Sequence, residues 1–272
     1  MMKRILRLFT ELSSRKWVSR ITGNFASSKL SRRLIPTFAR TYGIRIDEAE
    51  KPLEQYETLN AFFTRKLKPG VRPLASSEQA LLSPVDAVIT GIGPIEDGQI
   101  FNVKGQDYTL DELLNQSPHR QKYKHGYYYV LYLSPTDYHR IHAPVGGKTV
   151  ETEHVAGRVY PVNDFGLRHM PRVLSRNERL ITYLRHTVGE VAVVKVGALN
   201  VSSIRYVDDV TLPQYERGQE LAYFEFGSTV VLLTETGTYT PRDDLKLGDS
   251  VRVGEALGEL HTKPERAATV RK

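Results

Sequence analysis

Three short segments of the chain carry side chains that could do chemistry together. Asp86 lies in SPVDA, just before an apolar run. DYHRIH holds His139 and His142, and FGST holds Ser228 directly after a glycine. Asp86, His142 and Ser228 complete a set in which a carboxylate orients an imidazole that deprotonates a hydroxyl. The serine lacks a G-x-S-x-G elbow, so the set does not indicate an α/β-hydrolase.

The glycine before the serine suggests what the hydroxyl attacks. A hairpin between the two apolar runs around FGST would favour Asn-Gly or Asp-Gly at this point. Gly227 has no Cβ, so its backbone can adopt strained geometry and bring its own carbonyl within reach of Ser228. The segment therefore indicates a peptide bond that reacts with the neighbouring side chain.

The same side chains could instead form a metal site. Asp86, His139, His142 and His154 could supply ligands for a zinc ion, which gives a metal-dependent hydrolase as the alternative function. Two histidines three positions apart share a face of a helix but point to opposite faces of an extended segment. The pair is not part of an HExxH-type helix.

Composition narrows the class of protein. The chain has 272 residues, enough to bury a substantial core. It has no cysteine, which excludes disulfides, thiolate metal sites and a cysteine nucleophile. The net charge is +7, yet residues 1–40 hold ten Lys or Arg and a single acid, Glu11. That segment carries +9 and leaves −2 for the rest, so the basic character belongs to the N-terminal segment.

The basic segment also has a helical pattern. Apolar side chains recur at helical spacing in two sets, Ile5, Leu8, Phe9 and Leu12, and then Leu30, Leu34, Ile35, Phe38 and Tyr42. No uncharged apolar run reaches the roughly 18 residues of a membrane-spanning helix. The pattern predicts amphipathic helices on an anionic membrane surface. Helices packed on their own domain remain the alternative, and nucleic acid is disfavoured because few aromatic residues interleave with the basic ones.

From about Leu81 the pattern changes to period two, with apolar runs that end at Gly, Pro, Asn or Asp. The predicted strands are 87–92, 127–133, 149–155, 180–184, 191–196, 221–226, 230–234 and 251–260. This spacing predicts an α+β, mainly β fold with a barrel-like or sandwich-like core. Helices are predicted after the N-cap Thr58 and at 109–116. We expect two regions, an N-terminal helical membrane-associating region (1–75) and a β-rich catalytic domain (76–272).

The C-terminal run LKLGDSVRVGEALGEL has closely spaced glycine turns, as in carrier domains. A non-catalytic carrier-like barrel that docks to membranes is therefore a third possibility. No lysine for modification lies between two hydrophobic hairpin arms, so the run indicates architecture rather than a carrier function.

Seven motifs together are highly specific for one family of proteins. They are FFTRKLKPGVRPL (62–74), SPVDA (83–87), YLSPTDYHRIHAPVGG (132–147), GRVYPVN (157–163), SRNERL (175–180), VGALNVSSI (196–204) and FGSTVVLL (226–233). With them, nearly the whole chain resembles the bacterial, pyruvoyl-dependent phosphatidylserine decarboxylase proenzymes. Ala87 and Ser202 stand where that family commonly has glycine. Neither position carries chemistry, so these departures concern local backbone geometry.

The resemblance implies a role for each reactive residue. Ser228 attacks the carbonyl of Gly227, with His142 as the base and Asp86 fixing the tautomer of His142. Elimination and hydrolysis then leave a covalent pyruvoyl group in place of Ser228, the only cofactor expected, and no metal is implied. The pyruvoyl carbonyl forms a Schiff base with the substrate amine, and His139 is the acid or base of the decarboxylation.

The resemblance also implies products and partners. Cleavage gives a β chain of residues 1–227 and an α chain of residues 228–272, which stay together as a heterodimer that is expected to form a homodimer. The substrate is phosphatidylserine in an anionic membrane, decarboxylated to phosphatidylethanolamine and CO₂. The expected location is the cytoplasmic face of the cell membrane, as a peripheral protein, with no nucleic-acid partner.

Overall fold

The apolar runs of the sequence form the strands of several antiparallel sheets. The computed structural model describes residues 23–103, 105–162, 167, 169–198, 204–225 and 228–263. The strands are β1 Ala80–Leu82, β2 Ala87–Pro94, β3 Gln99–Val103, β4 Gln106–Thr109, β5 Tyr127–Leu133, β6 Arg140–His142, β7 Gly147–Val155, β8 Arg179–His186, β9 Gly189–Gly197, β10 Ile204–Tyr206, β11 Gln214–Tyr215, β12 Glu220–Phe224, β13 Ser228–Thr234, β14 Tyr239–Pro241, β15 Ser250–Val251 and β16 Ala256–Leu260. The predicted mainly β fold is confirmed.

Helices in the described residues are short. The α-helices are α1 Ile35–Thr41, α2 Leu59–Phe63, α3 Leu110–Leu113 and α4 Val173–Arg176. The 3₁₀ helices are Lys29–Leu34, Ile46–Glu48, Leu53–Gln55, Pro118–Tyr123 and Val207–Asp209. No helix in this described part is long and apolar enough to cross a membrane.

The largest sheet has eight strands in the order β11-β7-β8-β9-β13-β5-β2-β15. Its central strands are buried on both faces: Val194 and Val231 pack into one apolar cluster, and Val193 and Leu232 pack into another. Strands buried on both sides read as unbroken apolar runs rather than as alternating ones. This explains why the sequence of β9 and β13 is apolar almost throughout.

Different elements cover the two faces of this sheet. The three-stranded sheets β1-β16-β14 and β10-β12-β6 supply apolar side chains to one cluster. The hairpin of β3 and β4, with α3 and α4, supplies the other cluster. The core is thus a layered sandwich, and the sheets formed by the described strands do not close into a barrel.

The predicted run at 251–260 is wrong as a single strand. Gly254 adopts a φ of +87° and separates β15 from β16. The left-handed backbone at this glycine makes a turn, so the two halves pair with different strands, β2 and β1.

The N-terminal helices form a small core of their own. Thr58 caps α2 as predicted, because its Oγ1 accepts a hydrogen bond from the Ala61 N–H at 3.0 Å. Phe62 of α2 packs with Ile35 of α1 and with Tyr56. The first predicted amphipathic set, from Ile5 to Leu12, lies outside the described residues.

Candidate active site

Ser228 is the first residue of a strand that is paired on both sides. It lies opposite Leu133 of β5 and opposite Gly197 of β9, and the pairing continues on both sides to Thr234. The neighbouring Gly227 lies outside the described residues, as does Ser202. The residue predicted to react therefore lies at the end of a central strand of the sheet.

Asp86 lies directly before β2, at the same end of the sheet. Ala87 follows it in β2, and Val88 pairs with Tyr132 of β5. The carboxylate is buried and accepts hydrogen bonds from Arg72 Nε at 2.9 and 3.0 Å and from the Val253 N–H at 2.9 Å. The sheet register thus brings Asp86 and Ser228 to one end of β5.

Arg72 is the charge partner of Asp86. Its Nη2 lies 2.5 Å from Asp86 and 2.8 Å from Glu48. Burial alone would lower the pKa of Arg72, but the hydrogen bonds to these two carboxylates raise it overall. The guanidinium is therefore charged, and it forms a buried ion pair with Asp86.

His142, the last residue of β6, is held as one neutral tautomer. Its Nδ1 lies 2.7 Å from the Gly218 carbonyl oxygen and so must carry the proton, which leaves Nε2 to accept from the Tyr138 hydroxyl at 3.1 Å. Burial lowers the pKa of His142, although the Gly218 carbonyl, the charge of Glu220 and, to a smaller extent, the charge of Asp86 oppose this effect. A neutral imidazole with a lone pair on Nε2 is the form that a general base needs.

Asp86 and His142 share a neighbourhood but no hydrogen bond. The Asp86 carboxylate bonds to Arg72 and Val253, and the His142 Nδ1 bonds to the Gly218 carbonyl. In this structure the carbonyl therefore holds the proton on Nδ1, and the charge of Asp86 affects the pKa of His142 less than that of Glu220 does. The predicted role of Asp86 in fixing the tautomer of His142 stays a prediction.

His139 is fully buried beside the same segment. Its Nδ1 lies 2.9 Å from the Asp137 carbonyl oxygen, and its ring centroid lies 4.0 Å from that of Phe63. Burial, aided by the charge of Arg65, lowers the pKa of His139 to about 3. Its Nε2 makes no hydrogen bond with any described residue. A buried polar atom without a partner is unusual in a native protein and calls for a functional reason.

The backbone of His139 is tied to the chain that leads into the cleavage site. Its carbonyl oxygen accepts a hydrogen bond from the Phe224 N–H at 3.0 Å. Helix α2 reaches the same chain, because Asn60 Nδ2 donates to Glu225 Oε1 at 3.2 Å. His139 therefore lies between β5, which pairs with Ser228, and the segment that precedes Gly227.

A cavity of about 230 Å³ opens beside these residues. Its lining includes Asp86, Arg72, Arg65, Asp137 and Tyr138. Burial raises the pKa of Asp137, and the charge of Asp86 adds to this effect. The cavity is therefore lined both by Asp86 of the predicted triad and by Tyr138, whose hydroxyl bonds to His142.

Sequence reasoning missed Arg65, Arg72 and Tyr138. Both arginines stand in FFTRKLKPGVRPL, one of the motifs that carry the resemblance, and Tyr138 stands in DYHRIH. The motifs were the available signal. Their pairing could not be inferred because Arg72 meets Asp86 only through tertiary folding.

The fourth residue of the metal alternative lies elsewhere. His154 is exposed on β7 and bonds to Glu178 at 2.7 Å. The described part of the chain contains no group of three or more His, Asp or Glu side chains that could hold a metal ion. The metal-dependent hydrolase therefore gains no support.

Known proteins resemble this chain over most of its length. The family model for phosphatidylserine decarboxylase matches residues 59–259. The chain is 43% identical to the phosphatidylserine decarboxylase proenzyme of Geobacillus kaustophilus, over 95% of this chain and 97% of that protein. It is 41% identical to the proenzyme of Anoxybacillus flavithermus, over 97% and 98%. The proteins that it resembles are decarboxylases, and the chain is a carboxy-lyase of phospholipid biosynthesis. It belongs to the phosphatidylserine decarboxylase family.

Proposed function

We propose that this chain cleaves itself between Gly227 and Ser228 and then decarboxylates phosphatidylserine with the pyruvoyl group formed at residue 228. The observation that carries the proposal is the position of His139. It lies in the loop that follows β5, which pairs with Ser228, its carbonyl bonds to the segment before Gly227, and its Nε2 is buried without a described partner. The relatives are named as proenzymes, which supports a processing step.

The first step is self-cleavage. His142 Nε2 takes the hydroxyl proton of Ser228 while the oxygen attacks the Gly227 carbonyl carbon, and the peptide bond becomes an ester. Elimination breaks the ester and releases Gly227 as a carboxylate, and water then replaces the nitrogen of residue 228, which leaves as ammonia. The neutral form of His142 suits this role, because burial keeps its pKa low.

The fragments are expected to remain together. Strand β13 of the α chain lies between β5 and β9 of the β chain, and β15 and β16 pair with β2 and β1. Breaking one peptide bond at the start of β13 leaves all these pairings intact. The frame that holds Ser228 before cleavage also holds its product afterwards.

The residues around the site fit the pyruvoyl group. Once formed, the group supplies a ketone that binds the substrate amine and accepts the electrons released as CO₂ leaves. His139 offers an unpaired, buried Nε2 that can take and return a proton beside residue 228. Phe63 covers one face of its ring and excludes water from that side.

The N-terminal segment presents a surface suited to the lipid substrate. Large apolar side chains are exposed there: Phe25, Leu30, Leu34, Tyr42 and Ile46. The exposed basic residues of the same segment are Lys29, Arg32, Arg33 and Arg40. Such a surface favours insertion at an anionic bilayer. The ring centroid of Phe38 in α1 lies 6.3 Å from that of Phe63, and the Phe63 ring contacts His139. We therefore place the protein peripherally on the cytoplasmic face of the membrane, with this surface leading toward the site.

Two measurements test this function. On a denaturing gel, the purified protein is expected to give a small fragment of 45 residues, 228–272, and Ser228→Ala is expected to give one intact band. Vesicles that contain phosphatidylserine are expected to release CO₂ only with the cleaved protein. Decarboxylation by the uncleaved Ser228→Ala variant would contradict the proposal.

A further inference from the structure

Arg65 is a buried cation that forms no salt bridge with any described carboxylate. Its relative exposure is 4%, and its Nε and Nη1 make no hydrogen bond with any residue that the structure describes. Nη2 lies 3.5 Å from the Thr136 carbonyl oxygen, and the guanidinium carbon lies 5.3 Å from the Phe62 ring centroid. Arginine keeps its proton in proteins, so burial without an anion is costly. The free donors indicate that an anion binds here during function.

A groove gives that anion a way in. Arg65 helps to line a groove of about 540 Å³ between the segment 50–58 and α2. Lys51, Lys66 and Arg140 line it as well, so that with Arg65 four cations face two acids, Glu50 and Glu57. On its other side Arg65 faces the 230 Å³ cavity, where Asp86 and other carboxylates would repel an anion. An anionic ligand therefore reaches Arg65 from the basic groove.

Arg65 contacts elements that also hold the reacting residues. Arg65 contacts the carbonyl of Thr136, in the turn after Leu133, and Leu133 pairs with Ser228. Phe63, two residues before Arg65, contacts the His139 ring at a centroid distance of 4.0 Å. A ligand held by Arg65 therefore extends toward both His139 and residue 228.

We propose that Arg65 binds the phosphodiester of the lipid headgroup and thereby places the serine moiety at residue 228. This inference rests on the proposed function. The substrate carries two anionic groups, but only the phosphodiester keeps its charge through the reaction. An arginine paired with the carboxylate would stabilise the ground state of a group that must lose its charge as CO₂, whereas an arginine paired with the phosphodiester binds substrate and transition state equally.

Uniform binding predicts a change in KM rather than in kcat. Arg65→Gln removes the charge and the fork of donors, so KM for a soluble short-chain phosphatidylserine is expected to rise roughly 10- to 100-fold. The kcat is expected to stay within about twofold. Arg65→Lys keeps the charge but lacks the fork of donors, so its KM is expected to lie between those of the unsubstituted enzyme and Arg65→Gln. Arg176→Gln is the matched control, because Arg176 also stacks on an aromatic ring, 5.2 Å from the Tyr160 centroid, and lines neither concavity.

A trapping experiment separates the two anionic groups. Cleaved enzyme is mixed with glycerophosphoethanolamine, serine or ethanolamine and then reduced, and the mass of the α chain reports the amine fixed on residue 228. Arg65→Gln is expected to lose roughly 10- to 100-fold in trapping of glycerophosphoethanolamine relative to ethanolamine. Its trapping of serine relative to ethanolamine is expected to match that of the unsubstituted enzyme.

Three results would overturn the assignment. They are an unchanged preference for glycerophosphoethanolamine, a loss confined to serine, and an equal loss in Arg176→Gln. If Arg65→Gln fails to self-cleave, Arg65→Lys supplies the same comparison, and glycerophosphate must inhibit the unsubstituted enzyme more strongly than Arg65→Lys. Failure of the proposed function gives a different result, because the unsubstituted chain would then trap none of the three amines.

Discussion

Two buried charged clusters in this protein differ in how completely their polar atoms are paired. Glu190 on β9 is fully buried and bonds to His119 at 2.6 Å, Lys122 at 2.5 Å, Tyr123 at 3.0 Å and Arg185 at 2.9 Å. In the second cluster, the buried Arg65 and His139 leave three ring or guanidinium nitrogens unpaired among the described residues.

This difference in pairing distinguishes a structural hydrogen-bond network from a functional site. A buried charge with all its partners rigidifies the fold, whereas unpaired buried groups cost stability and persist where a ligand completes them. The Glu190 cluster joins the Pro118–Tyr123 helix to β8 and β9. The cluster of Arg65 and His139 borders the residues predicted to react. Changes in the first should therefore affect stability, and changes in the second should affect processing or catalysis.

The largest effect is expected from His142→Ala. The change removes the proposed base, and general-base assistance typically contributes about 10²- to 10⁴-fold to a rate. A denaturing gel sampled over time after synthesis measures the appearance of the 228–272 fragment. Normal cleavage in this variant would show that His142 is not the base.

His139→Ala is expected to separate the two steps. Cleavage should proceed, since His139 does not hold the Ser228 proton in this account, while kcat for decarboxylation should fall by about 10²- to 10⁴-fold. Gel analysis and CO₂ release from the same preparation measure both steps. Equal processing defects in His139→Ala and His142→Ala would mean that the two roles are wrongly assigned.

Glu190→Gln is expected to act on stability alone. The change leaves several cations around a neutral amide, and breaking such a buried network costs about 3 kcal/mol of the free energy of unfolding. Urea unfolding of the uncleaved Ser228→Ala background measures the loss, with the exposed Glu216→Gln as the control. A loss of decarboxylase activity without a loss of stability would remove the distinction between the clusters.

A smaller effect is expected from the pH dependence of the stability that the Glu190 cluster contributes. Burial alone would raise the pKa of Glu190, but hydrogen bonds from Lys122, His119 and Arg185 lower it from 4.5 to about 2. A lowered pKa contributes stability that is present above the unfolded value and is lost as pH falls through the folded value. The difference in unfolding free energy between Glu190 and Glu190→Gln proteins should therefore shrink from pH 4.5 to about 2. A difference that grows over this range would contradict the assignment.

The sequence predicted the central strands well because they are buried on both faces. The predicted bounds of β5 agree with the structure, and those of β9 and β13 lie within two residues of it. The short strands β3, β6 and β10 were missed, since three to five residues carry little periodicity. The run at 251–260 misled because an apolar pattern does not reveal the turn at Gly254.

The candidate site was partly readable from the sequence. Motifs identified Asp86, His139, His142 and Ser228, and the sheet register brings Asp86 and Ser228 to one end of β5. The partners of these residues could not be read, because they depend on the folded backbone. The Gly218 carbonyl that selects the tautomer of His142 is a main-chain group, which no side-chain motif encodes.

The intact mass of the α chain tests the central claim most directly. Self-cleavage with pyruvoyl formation predicts a chain of residues 228–272 that is lighter by one ammonia than the same chain with an N-terminal serine. It also predicts a β chain that ends at Gly227. Active protein with an unbroken chain, or with an unmodified serine at position 228, would contradict the account.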